Sequence, residues 1–274
     1  MSVRMAVNGA AGRVGRSVID IIVKDPEAEL GAAIDAADCP ALGKDAAVLS
    51  TGVQKTGVVV TDDIDAAVSA VQVVIDFSSP QGTRALLSAC ALRSVPCVVG
   101  TTGLDESGLQ GVHALSRTAA VVVAPNFSLG VNTLWHLAAR AVELLGPGFD
   151  IEIVEMHHRN KEDAPSGTAL RLLQAVAKAR GIDPDKVAVY GRSGRPGART
   201  AKEIGVLALR GGDVVGEHTL VLAGPGERLE LSHRAHGREV FAQGAVRAAY
   251  WVVKQGAGLY DMADVLGLPS QSVK

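Results

Sequence analysis

The densest run of chemically competent side chains is Glu155-Met-His157-His158-Arg-Asn-Lys161-Glu-Asp-Ala-Pro-Ser166-Gly167-Thr168-Ala169. Two adjacent histidines followed by a lysine concentrate proton donors just past a strand-like segment. An imidazole with an ordinary pKa of about 6.5 changes charge near neutrality, and Lys161 supplies a cation or a second acid. Ser166, Gly167 and Thr168 then open a helix. Two hydroxyls, free backbone N–H groups and the positive end of the helix converge there, and Gly167 lets a ligand come close, so this is an anion site suited to a carboxylate. A zinc site does not fit: there is no HExxH and no nearby cysteine ligand, and adjacent side chains on a strand point to opposite faces. On residue types alone the competing reading is a solvated loop in which Ser166 only caps a helix.

A second constellation lies at the start of the chain. Gly9-Ala10-Ala11-Gly12-Arg13-Val14-Gly15 joins a strand-like Val3–Asn8 to a helical run from Arg16 to Lys24. Glycines allow a sharp turn and close approach of the backbone to a pyrophosphate at a helix N-terminus. The spacing is GxxGxxG, not the usual GxGxxG, so the position in the first strand-turn-helix carries more of the argument than the motif. Asp35 follows about twenty residues later, at the end of the next strand, where a carboxylate can accept from the hydroxyls of an adenosine ribose. Ala36 follows it, and no arginine stands beside it to receive a 2′-phosphate, which predicts NADH in preference to NADPH. Lys44 and Arg16 are the residues that could reverse that preference. Gly100-Thr101-Thr102-Gly103 and Ala124-Pro125-Asn126-Phe127 each end a later strand, where ligands of doubly wound sheets bind.

The elements that must position these residues alternate regularly as far as residue 124. Strands are expected at Val3–Asn8, Glu29–Ile34, Gly57–Thr61, Val71–Phe77, Pro96–Val99 and Ala120–Ala124, with helices at Gly82–Leu92 and about Glu106–Ser116. Almost continuously apolar strands alternating with helices imply a parallel sheet covered on both faces, of the doubly wound Rossmann type. Beyond Pro125 the pattern changes: a long helix at about Val131–Leu145, a strand at Ile151–Met156, a helix at Thr168–Ala179, then strands at Gly205–Leu209, Glu217–Ala223 and Arg228–Arg234 joined by Gly-rich turns. No helix long enough for a parallel crossover separates these last three, which predicts a mostly antiparallel sheet. Gln243–Val253 reads as a helix that returns to the first domain. The expectation is an α/β protein in which 1–130 and 241–274 form a dinucleotide-binding domain and 131–240 a second α+β domain that carries the anion site.

Composition excludes several classes. The chain has 274 residues, 47% hydrophobic and 20% charged, with a formal net charge of -2. That suits a globular protein with a substantial core and offers neither a basic field nor, with 3% aromatics, a stacking platform for nucleic acid. Cys39, Cys90 and Cys97 form no CxxC pair and read as free thiols in a reducing compartment. No apolar stretch approaches the roughly 20 residues that span a bilayer. The N-terminus runs straight into a strand-like segment, so a cytoplasmic protein is expected.

The chain from His157 through Ala169 is similar to the signature of the 4-hydroxy-tetrahydrodipicolinate reductase (dihydrodipicolinate reductase) family. The resemblance continues through Gly9–Arg16, Ile75-Asp76-Phe77-Ser78, Gly100–Gly103, Asn126–Asn132, Gly211–Thr219, Gly226–Glu230 and Gly244–Ala249, in order and over essentially the whole chain. It implies hydride transfer from NAD(P)H to a cyclic imine-type dicarboxylate in lysine biosynthesis. His157 is then the general acid and Lys161 the companion donor. His158, Lys161, Ser166, Gly167 and Thr168, with Arg238 as a further contact, hold the substrate carboxylate. Gly9–Val14, Asp35, Gly100–Thr102 and Ala124–Phe127 contact the cofactor, and no metal is involved. The family often has arginine after its second-strand acid, where Ala36 stands here. The resemblance also implies a homotetramer built on the second sheet, and leaves His113, His136, His218, His233 and His236 as structural or surface residues. Two other readings compete. A sugar or amino-acid dehydrogenase of the same two-domain plan would rely on a Glu-Lys-Pro segment, which is missing. A dinucleotide sensor would need no His–Lys pair beside an anion site.

Overall fold

A computed structural model describes residues 2–52 and 55–268. In chain order the elements are β1 (Val3–Asn8), α1 (Arg13–Lys24), β2 (Ala28–Ile34), α2 (Ala46–Thr51), β3 (Val60–Thr61), α3 (Ile64–Ser69), β4 (Val73–Asp76), α4 (Pro80–Arg93), β5 (Cys97–Val99), α5 (Glu106–Ser116) and β6 (Ala120–Val123). There follow α6 (Leu129–Leu145), β7 (Asp150–His157), α7 (Gly167–Ala179), α8 (Pro184–Val187), β8 (Ala188–Tyr190), β9 (Ile204–Arg210), β10 (Gly216–Gly224), β11 (Glu227–Ala235), α9 (Glu239–Val252), β12 (Gly258–Tyr260) and α10 (Met262–Leu266). The chain divides into two compact units, Met1–Leu129 with Arg238–Lys274, and Gly130–Gly237.

The first unit is a seven-stranded sheet in the order β12-β6-β5-β4-β1-β2-β3, with every pairing parallel. Successive residues on a strand face opposite ways, and here both ways are buried. Met5, Val7, Val73, Ile75, Val98 and Val122 join one core with α1 and α9; Ala6, Val74, Cys97, Val99 and Val121 join another with α4 and α5. That is why these strands read as continuous apolar runs. The return of the chain after α9 adds one strand, β12, against β6, a contribution that the three residues Gly258–Tyr260 were too short to announce.

The second unit is a five-stranded sheet, β11-β10-β7-β9-β8. It is mixed: β10 pairs antiparallel with β11 and β7, as the Gly-rich turns predicted, whereas β7–β9 and β9–β8 are parallel. The parallel pairings arise from connections earlier in the chain than the Gly-rich turns. α7 lies between β7 and β9 in sequence and serves as their crossover, so β7 takes the place between β9 and β10. One face carries the core. Ile151 and Ile153, Ile204 and Val206, and Leu220 and Leu222 pack there on Val131, Leu134, Trp135 and Ala138 of α6 and Leu172, Leu173 and Val176 of α7. No helix among the described residues is long and apolar enough to cross a membrane.

Candidate active site

The core face of the second sheet changes character at one end. Along β7 the inward series runs Ile151, Ile153, Glu155, His157, all buried. The register sets His157 beside Arg210, at the end of β9, and Glu155 beside His218, near the start of β10. Three strands thus end their apolar series in charged or polar residues at the same place.

Glu155 organises the cluster. It is fully buried. Its Oε2 lies 2.6 Å from His157 Nδ1 and accepts from an Arg210 terminal nitrogen at 2.8 Å. Its Oε1 accepts from the other terminal nitrogen at 3.0 Å and from the Ser166 backbone N–H at 3.0 Å. Burial alone would raise this carboxyl's pKa, but the Arg210, His157 and Ser166 contacts outweigh it and hold the group below the ordinary carboxylate range. With Nδ1 committed to Glu155, the free nitrogen of His157 is Nε2. Burial lowers the His157 pKa, and the nearby Lys161 and Arg210 charges lower it further, against the opposing pull of Glu155. Gly216, opposite His157, makes room for the ring: a Cβ there would lie 3.0 Å from Nε2.

Arg210 also reaches the loop after β7. It donates to the carbonyls of Lys161 at 3.3 Å and Asp163 at 2.7 Å, so one guanidinium ties the acid cluster to the segment that carries Lys161. The Lys161 ammonium is paired with Asp163 at 2.7 and 2.9 Å, and His158 is half-buried at the strand end. Ser166 caps α7 through Ala169 N–H, as its residue type implied, and its hydroxyl also lies 2.9 Å from His218 Nε2. The Thr168 carbonyl accepts from the Trp135 indole at 3.1 Å, which pins the first turn of α7 to α6. A Cβ on Gly167 would meet nothing within 4 Å, so the approach to this helix end is open. Of the expected substrate residues, His157, His158, Lys161, Ser166, Gly167 and Thr168 share this end of the second unit. Arg238 is exposed at the N-cap of α9, in the first unit.

Residue types and spacing alone single out neither Glu155 nor Arg210, and leave His218 a structural residue. The period-two pattern marks Glu155 as an acid on the apolar face of β7; its partners Arg210 and His218 emerge only with the register of β9 and β10.

In the first unit the expected cofactor residues lie at the carboxyl ends of β1, β2, β5 and β6. Gly9 turns with φ 79°, and a Cβ there would stand 2.3 Å from the Phe77 carbonyl; at Gly15, already inside α1, it would stand 2.1 Å from the Gly9 carbonyl. Both glycines are therefore demanded by the turn's own packing. Helix α1 begins at Arg13, three residues earlier than expected. Its N-cap is Gly12 and no side chain caps it, so first-turn N–H groups are left for a ligand. A groove of about 720 Å³ runs beside this turn, lined among others by Asn8, Gly9, Gly12, Asp35, Ser78 and Gln81. Asp35 has an unforeseen task as well: it accepts from the Ala11 N–H at 2.8 Å and so fastens the turn to β2. Fully buried Asp76 accepts from Asn8 at 2.7 Å, Ser78 and Thr83 at 2.6 Å each and Thr101 at 2.9 Å, joining the ends of β1, β4 and β5. Gly100 lies against the Phe77 ring, and Thr102 is exposed. Phe127, following Ala124, Pro125 and Asn126, meets Phe77 edge-on at 5.6 Å. The uncapped helix end and the groove fit a dinucleotide pyrophosphate.

Residues 3–127 match the family model of the dihydrodipicolinate reductase N-terminus, and residues 130–266 that of its C-terminus. The chain belongs to the dihydrodipicolinate reductase family. It is 51% identical over 98% of its length to the complete 4-hydroxy-tetrahydrodipicolinate reductase of Thiobacillus denitrificans, and 48% identical, with the same coverage, to that of Halorhodospira halophila. A dipicolinate-bound dihydrodipicolinate reductase from Paenisporosarcina sp. TG-14 has the same fold, with a TM-score of 0.75 at 24% identity over 96% of this chain and 99% of that one. The chain is thus an oxidoreductase of lysine biosynthesis whose first unit takes a nicotinamide nucleotide.

Proposed function

We propose that the protein reduces 4-hydroxy-tetrahydrodipicolinate, or its dehydrated form, to tetrahydrodipicolinate, with His157 as general acid. The observation that carries this is the Glu155–His157 pair beside an open helix end. The nicotinamide, when bound beside the first unit's turn, supplies a hydride to the conjugated ring. His157 Nε2 then delivers a proton to the ring, while Glu155 holds Nδ1 and stabilises the imidazolium. From the hydroxylated ring, water leaves as the second product. Lys161 turns from Asp163 towards the substrate, as donor and counter-charge. His158, the Ser166 hydroxyl, and the N–H groups of Gly167 and Thr168 receive a carboxylate at the positive end of α7. The negative substrate offsets Lys161 and Arg210 and so raises the His157 pKa in the complex, which readies it as a proton donor.

The groove supports a preference for NADH. Its lining includes Asp35, Asp38 and Asp62 and, among the described residues, no lysine or arginine. Carboxylates can accept from ribose hydroxyls, whereas a 2′-phosphate there would meet like charge. The other face of the second sheet, with half-buried Val154, Met156 and Val221 and Leu209 49% exposed, supports assembly of four copies through that face. Analytical ultracentrifugation tests this: a tetramer is expected, and a monomer would refute it.

The function is tested by giving the protein the condensation product of pyruvate and aspartate semialdehyde with NADH or NADPH. Rapid oxidation, faster with NADH at limiting concentration, is expected. Oxidation of neither, by a protein that still binds dinucleotide, would reject this substrate.

A further inference from the structure

His218 is 3% exposed, yet it sits among the polar groups of the site. Its Nε2 lies 2.9 Å from Ser166 Oγ, and its ring meets that of His157 edge-on with centroids 5.2 Å apart. Its Nδ1 is buried with no hydrogen-bond partner among the described residues. Burial, aided by the neighbouring His157, pushes its pKa down to about 4, so the ring is neutral at physiological pH and carries a single N–H.

Where that proton sits follows from the two nitrogens' surroundings. On Nδ1 it would be an orphaned buried donor, which folded proteins rarely tolerate; an idle acceptor lone pair costs less. The proton therefore resides on Nε2 and is donated to Ser166 Oγ. The Ala169 N–H donates to the same oxygen at 3.2 Å. A hydroxyl has two lone pairs and one proton, so both acceptor sites of Ser166 are occupied. Its own proton finds no acceptor among the described residues.

We infer that His218 is a positioning residue which fixes the polarity of the Ser166 hydroxyl, leaving it able only to donate to the substrate's carboxylate. Resting on the reading that Ser166 meets that carboxylate, the inference adds a selection rule. An ionised carboxylate offers acceptors only and matches the hydroxyl without reorientation. A ligand presenting an N–H at the same point finds no free lone pair. The neutral His218 imposes this without bringing another charge beside His157.

Two measurements decide it. In the full-length protein with 15N-labelled histidines, the ring-nitrogen shifts of His218, assigned by their loss in His218→Phe or His218→Gln, are expected to show protonation at Nε2; protonation at Nδ1 overturns the inference. In kinetics, His218→Phe keeps the ring and removes the donor, and KM for the substrate should rise about tenfold, as for a lost hydrogen bond to a charged ligand, with a smaller fall in kcat. His218→Gln restores a donor without the ring and should bring KM back to within about threefold of wild type, even where kcat falls. Ser166→Ala should raise KM alike, and adding His218→Phe to it should raise KM no further. An unchanged KM in His218→Phe beside a raised KM in Ser166→Ala overturns the role of His218 alone. An unchanged KM in Ser166→Ala overturns the carboxylate reading and the inference with it.

Discussion

Glu155 Oε2 stands 2.6 Å from His157 Nδ1, and Arg210 grips the same carboxylate with both terminal nitrogens. The charge of Glu155 favours the protonated form of His157, the form proposed to donate. In Glu155→Gln the His157 pKa falls. The loss of kcat that accompanies rising pH, as His157 deprotonates, should then begin at lower pH than in the wild type. At neutral pH kcat should drop by about tenfold or more, less than the roughly 10²–10⁴-fold that a whole acid–base group contributes. An unmoved pH profile would separate Glu155 from the proton transfer.

Arg210→Ala strips a fully buried carboxylate of its cation. Breaking such a pair costs about 3–5 kcal/mol, so the variant should be much less stable in denaturant titrations. Arg210→Lys keeps the charge but loses the planar fork, and should recover only part of that stability.

Much of this site was legible before the fold was known. The His157–Ala169 run and the turn after β1 declare themselves by residue type within short windows. The helices and strands around them followed from apolar periodicity, to within a few residues at most ends. Glu155, Arg210 and His218 did not, because their partnership depends on strand register, and local spacing carries no register between β7, β9 and β10. The mixed order of the second sheet was hidden for the same reason. Asp76 was visible as an acid ending an apolar strand, but its role needs four donors from β1, α4 and the loops after β4 and β5.

The stability of the fold should respond to pH in two windows. The His218 pKa is lowered to about 4, so the unfolded chain takes up a proton that the folded one refuses. Stability is therefore lost as pH falls from about 6.5 to about 4, by roughly 3 kcal/mol. His218→Phe should remove that part of the slope. The lowered Glu155 pKa acts separately: its contribution is present above the unfolded-state value of a glutamate and is lost below it, as pH falls through the folded value. Unfolding free energies measured across pH 4–7 check the first window; an equal slope in wild type and His218→Phe would refute it.

At Gly216 a methyl group would stand 3.0 Å from His157 Nε2, the nitrogen proposed to deliver the proton. Gly216→Ala should displace the ring, lowering kcat about tenfold while costing about 1 kcal/mol of stability, at the low end for overpacking. A crystal structure of the variant with His157 unmoved, together with normal turnover, would contradict this.

On the cofactor side, Ala36→Arg adds a cation to a groove that has none among the described residues. The ratio of kcat/KM for NADPH to that for NADH should rise by about tenfold or more, as expected for a new partner to a 2′-phosphate. No change in the ratio would show that the ribose lies elsewhere.

The proton transfer assigned to His157 is tested most directly by steady-state kinetics of His157→Gln alongside its dinucleotide affinity. A fall in kcat of about 10²-fold or more is expected, with cofactor binding retained because the dinucleotide site belongs to the first unit. Wild-type turnover in that variant would remove His157 from the mechanism and contradict the account.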